Sequence, residues 1–126
     1  MKTSIHTTKA PEPMGPFSQA IVTGNLIFLS AQLARDVITG ELVMQNIEAE
    51  TNQVMKNLEA ILKASGSDFN HVVKSSIFLK NMNDYAVVNK VYSDYFKKPY
   101  PARETIQVAD LPAHVNIEIS MIAVKP

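Results

Sequence analysis

The first part of the chain has the hydrophobic pattern of paired strands. Two apolar runs, 20–23 and 26–30, flank Gly24-Asn25. A Gly-Asn pair between two such runs favours a tight two-residue turn, so the pattern predicts a β-hairpin. Residues 31–45 are expected to continue as a strand and a loop, with a second turn at Thr39-Gly40.

Two later segments have the period of an amphipathic helix. Residues 47–64 place their apolar side chains at spacings of three, four and seven, with Asn46 as the N-cap and Gly66 as the stop. Residues 84–97 predict a second helix, which Asn83 can cap and which two following prolines end. The apolar face of this helix is formed by Tyr85, Val88, Val91, Tyr92, Tyr95 and Phe96.

The remaining apolar segments are typical of strands. They are residues 71–80, 104–108 and 115–124, with a loop at 110–114 between the last two. The order is hairpin, helix, strand, helix, strand, strand. Single helices between strands favour an α+β fold, in which residues 1–126 form one domain and two helices pack on one face of a mixed sheet.

The pattern of the last strand also indicates what covers the second face of the sheet. One side of the strand is uniformly apolar, whereas the other mixes polar and apolar groups: Asn116, Glu118, Ser120, Ile122 and Val124. Two helices can cover only one face. We therefore expect the mixed face to contact another subunit.

Composition narrows the classes of function. Twelve Lys and Arg balance twelve Asp and Glu, which argues against a protein that binds nucleic acid through phosphate contacts. The absence of cysteine excludes disulfides, thiolate zinc sites and thiol nucleophiles, and the three histidines have no metal-ligand spacing. Apolar runs are too short for a membrane span, which needs about 20 residues. We expect a cytoplasmic protein without a metal or a cofactor.

Three side chains are candidates for chemistry. Arg103 follows a proline-led turn, where a guanidinium suits a bidentate carboxylate, although a surface ion pair is an alternative. Glu118 lies between two isoleucines and is either solvent-exposed or, under a neighbouring subunit, a desolvated acid or base. Ser30 closes an apolar strand and could be a plain strand-end hydroxyl.

Several motifs together resemble a known family. They are residues 14–20 (MGPFSQA), 30–32 (SAQ), 83–89 (NDYAVVN), 101–103 (PAR), Val108, Leu111-Pro112 and 117–119 (IEI). In this order they resemble the YjgF/RidA/L-PSP family of reactive intermediate imine deaminases, also known as perchloric-acid-soluble proteins. The resemblance spans essentially the whole chain.

The resemblance implies a fold and an activity. The fold would be a chorismate-mutase-like α+β unit, assembled as a homotrimer with its active sites between subunits. The activity would be hydrolysis of 2-imino or enamine acids, such as 2-aminoacrylate/2-iminopropanoate and 2-iminobutanoate, to a 2-oxo acid and ammonia. Pyridoxal-phosphate-dependent serine and threonine dehydratases would supply these substrates, and no cofactor or metal would be needed.

The resemblance also implies roles for individual residues. Arg103 would hold the substrate carboxylate, Glu118 would assist the attacking water, and Thr105 would help to hold that water. The pocket would be lined by Phe17, Ser30, Ala31, Tyr85 and Asn89. Three positions depart from the usual family pattern, namely Ala31 in place of Gly, Glu104 in place of a small residue and Thr105 in place of Cys.

Two other functions remain open from the sequence. The same cleft could bind 2-oxo acids without catalysis, as in a sensor or a regulatory protein. A ribonuclease or translation inhibitor is a further alternative, but the chain has neither a histidine pair nor a basic stripe with stacking aromatics.

Overall fold

The computed structural model describes residues 1–126 as a six-stranded sheet with two α-helices. The strands are β1 (Thr3–Ile5), β2 (Ala20–Thr23), β3 (Leu26–Gln32), β4 (Val72–Leu79), β5 (Ala102–Gln107) and β6 (Ile117–Val124). The helices are α1 (Ile47–Ala64) and α2 (Tyr85–Ser93), and short 3-10 turns span Phe69–His71, Met82–Asp84 and Pro112–His114.

The sheet is mixed, as the sequence predicts. Its strand order is β1-β2-β3-β6-β4-β5, with only β4 and β5 parallel. The β2–β3 hairpin is confirmed: Thr23 pairs with Leu26, and Gly24 has a φ of 59° in the turn between them. A positive φ of this kind is readily adopted by glycine.

Helix α1 has the predicted bounds and caps. The Asn46 side chain accepts a hydrogen bond from the Ala49 amide at 2.7 Å, and Gly66 follows the helix with a φ of 77°. The predicted apolar stripe is buried under the helix, with Val54, Met55, Leu58, Ile61 and Leu62 all fully inaccessible to solvent. Burial of this stripe against β3 and β6 holds the helix on the sheet.

Helix α2 is shorter than predicted. It ends at Ser93 rather than at residue 97, and Asp94, Tyr95 and Phe96 continue in tight i→i−3 turns. These turns bring Phe96 into the core, where its ring lies 5.2 Å from the Phe69 ring. The predicted cap at Asn83 is also wrong, because a 3-10 turn capped by Asn81 precedes the helix.

The N-terminal segment contains a strand that the sequence pattern missed. Thr3–Ile5 pairs with β2 as the edge strand of the sheet. Its three residues are too few to show a recognisable alternation of apolar and polar positions. The predicted strands 71–80, 104–108 and 115–124 are present with ends shifted by one or two residues.

One face of the sheet carries the helices and the other is bare. Along β6, the residues Ile117, Ile119, Met121 and Ala123 are buried beneath the helices. The hydroxyl of Tyr92 on α2 donates to Ser75 on β4, which places α2 on the same face. The opposite face has half-buried residues on β6 and exposed Phe28 and Ile106. Neither helix combines the length and the apolar character required to cross a membrane.

The Asn46 cap provides a test of how α1 is held. Asn46→Ala should lower the free energy of unfolding by about 1 kcal/mol, because the Ala49 amide loses its acceptor. Asn46→Asp keeps an acceptor oxygen and should retain nearly all the stability. Urea unfolding at one fixed protein concentration measures both variants, and equal stability of Asn46→Ala and the unaltered protein would contradict the capping role.

Candidate functional site

Arg103 lies on the helix-covered face of the sheet, at its β5 edge. The register of β5 with β4 sets Arg103 beside Ser75, whose side chain is buried under α2. The Nη2 group of Arg103 donates to Asn89 Oδ1 at 2.6 Å and to the Tyr85 hydroxyl at 3.1 Å. Strand β5 therefore places the guanidinium against two polar side chains of α2.

No carboxylate neutralises Arg103. None lies within the 4.0 Å of an ion pair, so the surface ion-pair alternative does not describe this residue. Its guanidinium instead packs over aromatic rings, 5.1 Å from the centre of Tyr92 and 5.7 Å from that of Tyr85. Ring faces and neutral acceptors hold the cation while leaving its charge uncompensated, which favours binding of an anion.

Thr105 presents an unsatisfied hydroxyl on the same face. It lies two residues after Arg103, and strand alternation points both side chains toward the helices. Its Oγ1 is buried and has no hydrogen-bond partner in the chain. A buried hydroxyl without a partner costs about 1–3 kcal/mol, so a bound water, ligand or neighbouring subunit that pairs with it would stabilise the site.

Glu104 does not compete for the Arg103 guanidinium. Strand alternation directs it to the bare face, where its carboxylate accepts from the Ser76 hydroxyl and pairs with Lys74 Nζ at 3.2 Å. The Ser76 hydrogen bond, followed by the bond and charge of Lys74, lowers the pKa of Glu104. The departure from the family pattern at this position therefore leaves Arg103 free.

Glu118 lies in a cleft of about 570 Å³ at the opposite face. The cleft is also lined by Phe17, Ser30 and Ala31, three of the residues that the resemblance places at the site. Burial raises the pKa of Glu118, whose side chain has no hydrogen bond or ion pair within the chain. A half-buried, unpaired carboxylate of this kind is suited to accept a proton.

Two hydrogen-bonded side chains shape this cleft from the N-terminal side. Gln19 is 1% exposed, accepts from the Thr7 amide at 2.7 Å and donates to the Pro11 carbonyl at 2.9 Å. The Ser30 hydroxyl donates to the Ser18 carbonyl at 2.6 Å. These bonds fix the proline-rich segment as one wall of the cleft. The sequence marked Gln19 as part of a motif but gave no sign of this role.

Glu50 is a second supporting residue that sequence reasoning missed. It is fully buried, and its two carboxylate oxygens accept from the Asn116 backbone amide and the Asn116 side chain, both at 2.8 Å. Asn116 lies two residues before Glu118, so this pair anchors the start of β6 to α1. The sequence pattern gave no sign of this pair, because the two residues are 66 positions apart.

The two groups of candidate residues do not meet within one chain. Arg103 pairs in register with Ser75, whereas Glu118 pairs with Phe78, three residues further along β4. Positions 75 and 78 point to opposite faces of the sheet. The candidate residues therefore form two half-sites on opposite faces of the sheet. The half-site on the helix-covered face consists of Arg103, Thr105, Tyr85 and Asn89. The half-site on the opposite face consists of Glu118, Ser30, Ala31 and Phe17.

The histidines lie outside both half-sites. Each is paired with a nearby acid: His6 with Glu12, His71 with Asp68, and His114 with Asp110. No group of three metal-binding side chains comes together anywhere in the chain.

The chain is similar to known proteins over nearly its whole length. The model of the family described as endoribonuclease L-PSP matches residues 7–125. A RutC family protein of Pyrococcus horikoshii is 47% identical and covers 99% of this chain and 99% of its own length. The 2-iminobutanoate/2-iminopropanoate deaminase of Mus musculus is 46% identical and covers 96% of this chain and 90% of its own length.

A solved structure supports the fold. Escherichia coli TdcF with bound serine superimposes with a TM-score of 0.93 at 33% identity, covering 98% of this chain and 99% of its own. The family match and the superposition agree with the motifs in the sequence. The chain belongs to the endoribonuclease L-PSP family, which includes the proteins named RutC and RidA.

Proposed function

We propose that the protein hydrolyses 2-imino acids and their enamine tautomers to 2-oxo acids and ammonia. The observation that carries this proposal is the uncompensated Arg103 cation beside the unpaired Thr105 hydroxyl. The cation suits a substrate carboxylate, and the hydroxyl suits a water or a polar group next to it. Candidate substrates are 2-iminopropanoate, formed from 2-aminoacrylate, and 2-iminobutanoate.

Relatives support a small carboxylate-bearing substrate. The mouse relative is named for deamination of these imines, and the TdcF structure carries serine, an amino acid with the same carboxylate group. Serine and threonine dehydratases that use pyridoxal phosphate release such imines, so these enzymes are the proposed source of substrate. Arg103 would hold the carboxylate and so orient the imine carbon.

The chemistry requires only positioning and proton transfer. An imine carbon is already electrophilic, so water can attack it once the substrate is oriented. Glu118 in its ionised form would accept a proton from that water as the C–O bond forms, and would return it to the nitrogen. Glu118 next moves the hydroxyl proton to the nitrogen as the C–N bond breaks, and the products are a 2-oxo acid and ammonia.

A second copy of the chain would complete the site. Arg103 and Glu118 point to opposite faces of the sheet, so one copy must present its Arg103 edge to the Glu118 cleft of another. The bare face offers a surface for this contact, with exposed Phe28 and Ile106 around the Lys74–Glu104 pair. We propose a homotrimer of chorismate-mutase-like units, in which each interface builds one site.

The alternative functions differ in what they require of the site. A 2-oxo acid sensor would use Arg103 but would not need the titrating carboxylate of Glu118. Endoribonuclease activity is part of the family description, but none of the three histidines lines the cleft, and each is paired with a nearby acid. Deamination uses both half-sites and is therefore the function that the geometry supports best.

The role of Arg103 can be tested by substitution. Arg103→Ala should lower kcat/KM for 2-iminopropanoate by at least about 100-fold, because hydrogen bonds to charged groups contribute about 1.5–3 kcal/mol each. Arg103→Lys should recover little, since a compact ammonium on a flexible stem does not reproduce the planar fork of donors that the guanidinium directs at Tyr85, Asn89 and a carboxylate. Pyruvate release from dehydratase-generated substrate measures both, with exposed Lys97→Ala as the charge control. Full activity of Arg103→Ala would remove the residue from the mechanism.

The role of Glu118 predicts a change in rate and in pH profile. Glu118→Gln should reduce kcat by about 10²–10⁴-fold while pyruvate affinity, measured by calorimetry, changes much less. Because burial raises the pKa of Glu118, its ionised form prevails only above the ordinary glutamate range. The unaltered protein should therefore lose activity on acidification at a pH above 4.5, the ordinary glutamate value, and the variant's residual activity should lack this step.

Two results would contradict this account of Glu118. Unchanged hydrolysis by Glu118→Gln would reject the acid–base role. Pyruvate binding by the unaltered protein without any acceleration of imine hydrolysis would favour the sensor. Glu41→Gln, at an exposed glutamate that is not among the residues lining the cleft, serves as the matched control and should retain full activity.

A further inference from the structure

The hydrogen bonds of Arg103 limit how it can bind a carboxylate. Its Nη2 group carries two hydrogens, and the chain gives it two acceptors, Asn89 Oδ1 and the Tyr85 oxygen. A guanidinium has two edges that can grip a carboxylate with parallel bonds, the Nη1–Nη2 edge and the Nε–Nη2 edge. Both edges include Nη2. With both Nη2 hydrogens engaged, neither edge has two free donors.

The Tyr85 hydroxyl is the donor best placed to supply the second hydrogen bond to a carboxylate. Its oxygen accepts a hydrogen bond from the Arg103 guanidinium at 3.1 Å. Its own O–H has no acceptor within the chain, and the side chain is 40% exposed. Because the guanidinium already donates to the oxygen, the hydroxyl hydrogen must point away from Arg103 and toward the open space beside it.

We propose that Tyr85 binds the substrate carboxylate directly, donating one hydrogen bond while a free N–H of Arg103 donates the other. This inference rests on the proposed function for the class of ligand, a 2-oxo or 2-imino acid. It assigns to Tyr85 a contact with the substrate instead of a role in shaping the pocket. The carboxylate is then bound by a phenol and a guanidinium rather than by two nitrogens of one arginine.

The electrostatics of Tyr85 agree with this role. The hydrogen bond from Asn89, then the hydrogen bond and charge of Arg103, lower the pKa of Tyr85. By contrast, burial raises the pKa of Tyr92, whose hydroxyl is already committed to Ser75. A more acidic phenol is a stronger hydrogen-bond donor, and a bond to a charged acceptor is stronger than one between neutral groups.

Calorimetric titration with pyruvate tests the proposal, because the two ways of binding predict opposite effects of Tyr85→Phe. If Tyr85 donates to the carboxylate, the variant should bind pyruvate about 10- to 100-fold more weakly. If Arg103 binds both oxygens by itself, the variant releases one Nη2 hydrogen and should bind pyruvate as well as before or more tightly. That second outcome would overturn the proposal.

Two controls isolate the hydroxyl. Tyr100→Phe removes the hydroxyl of an exposed tyrosine that has no hydrogen bond to Arg103, and its pyruvate affinity should stay within about twofold. Equal weakening by both variants would overturn the proposal. Pyruvamide, which has no carboxylate, should lose much less affinity than pyruvate in Tyr85→Phe. Circular dichroism confirms that each variant is folded, as expected for substitutions at exposed positions.

The binding result is separable from the proposed catalysis. Weaker pyruvate binding by Tyr85→Phe supports the Tyr85 contact even if the unaltered protein hydrolyses no imine. In that case only the proposed deaminase activity is rejected. If the unaltered protein hydrolyses imines and Tyr85→Phe binds pyruvate as tightly as the unaltered protein, the proposed deamination is supported and the Tyr85 contact is rejected. Absence of pyruvate binding by the unaltered protein would reject the contact directly.

Discussion

The alternation of side chains along β-strands is the constraint on which the site depends. Arg103 and Thr105 occupy odd-numbered positions of β5 and face the helices, whereas Glu118 on β6 faces the other way. No rotamer change can bring them together, because the sheet lies between them. A site that uses both must be built from two copies of the chain, so oligomerisation is part of the proposed mechanism rather than an addition to it.

The same alternation gives each half-site a different electrostatic character. On the helix face, Arg103 is held by an amide, a phenol and two ring faces, which leave its positive charge available to an anion. On the bare face, Glu104 is satisfied by Ser76 and Lys74, while Glu118 is unpaired and its pKa is raised. A substrate with a carboxylate and an electrophilic carbon could use both half-sites at once.

The sequence predicted what depends on local periodicity and capping. Helix α1, its Asn46 cap and the β2–β3 hairpin followed from spacing alone, and the alternation in β6 revealed which face is bare. Contacts between distant segments could not be predicted in this way. The Glu50–Asn116 pair joins residues 66 positions apart, and α2 stops early because Phe96 packs against Phe69. Tyr85 was placed on the buried face by its helical spacing, yet it is exposed and bonded to Arg103.

Complementation between two inactive variants tests the shared site most directly. Arg103→Ala and Glu118→Gln should each be nearly inactive as pure proteins, but subunits mixed in equal amounts and reassembled should recover about a quarter of the unaltered activity. This fraction follows because one interface in four then joins an intact Arg103 to an intact Glu118 from another subunit. Mixed oligomers, verified by two affinity tags, that show no recovery would contradict a site divided between copies.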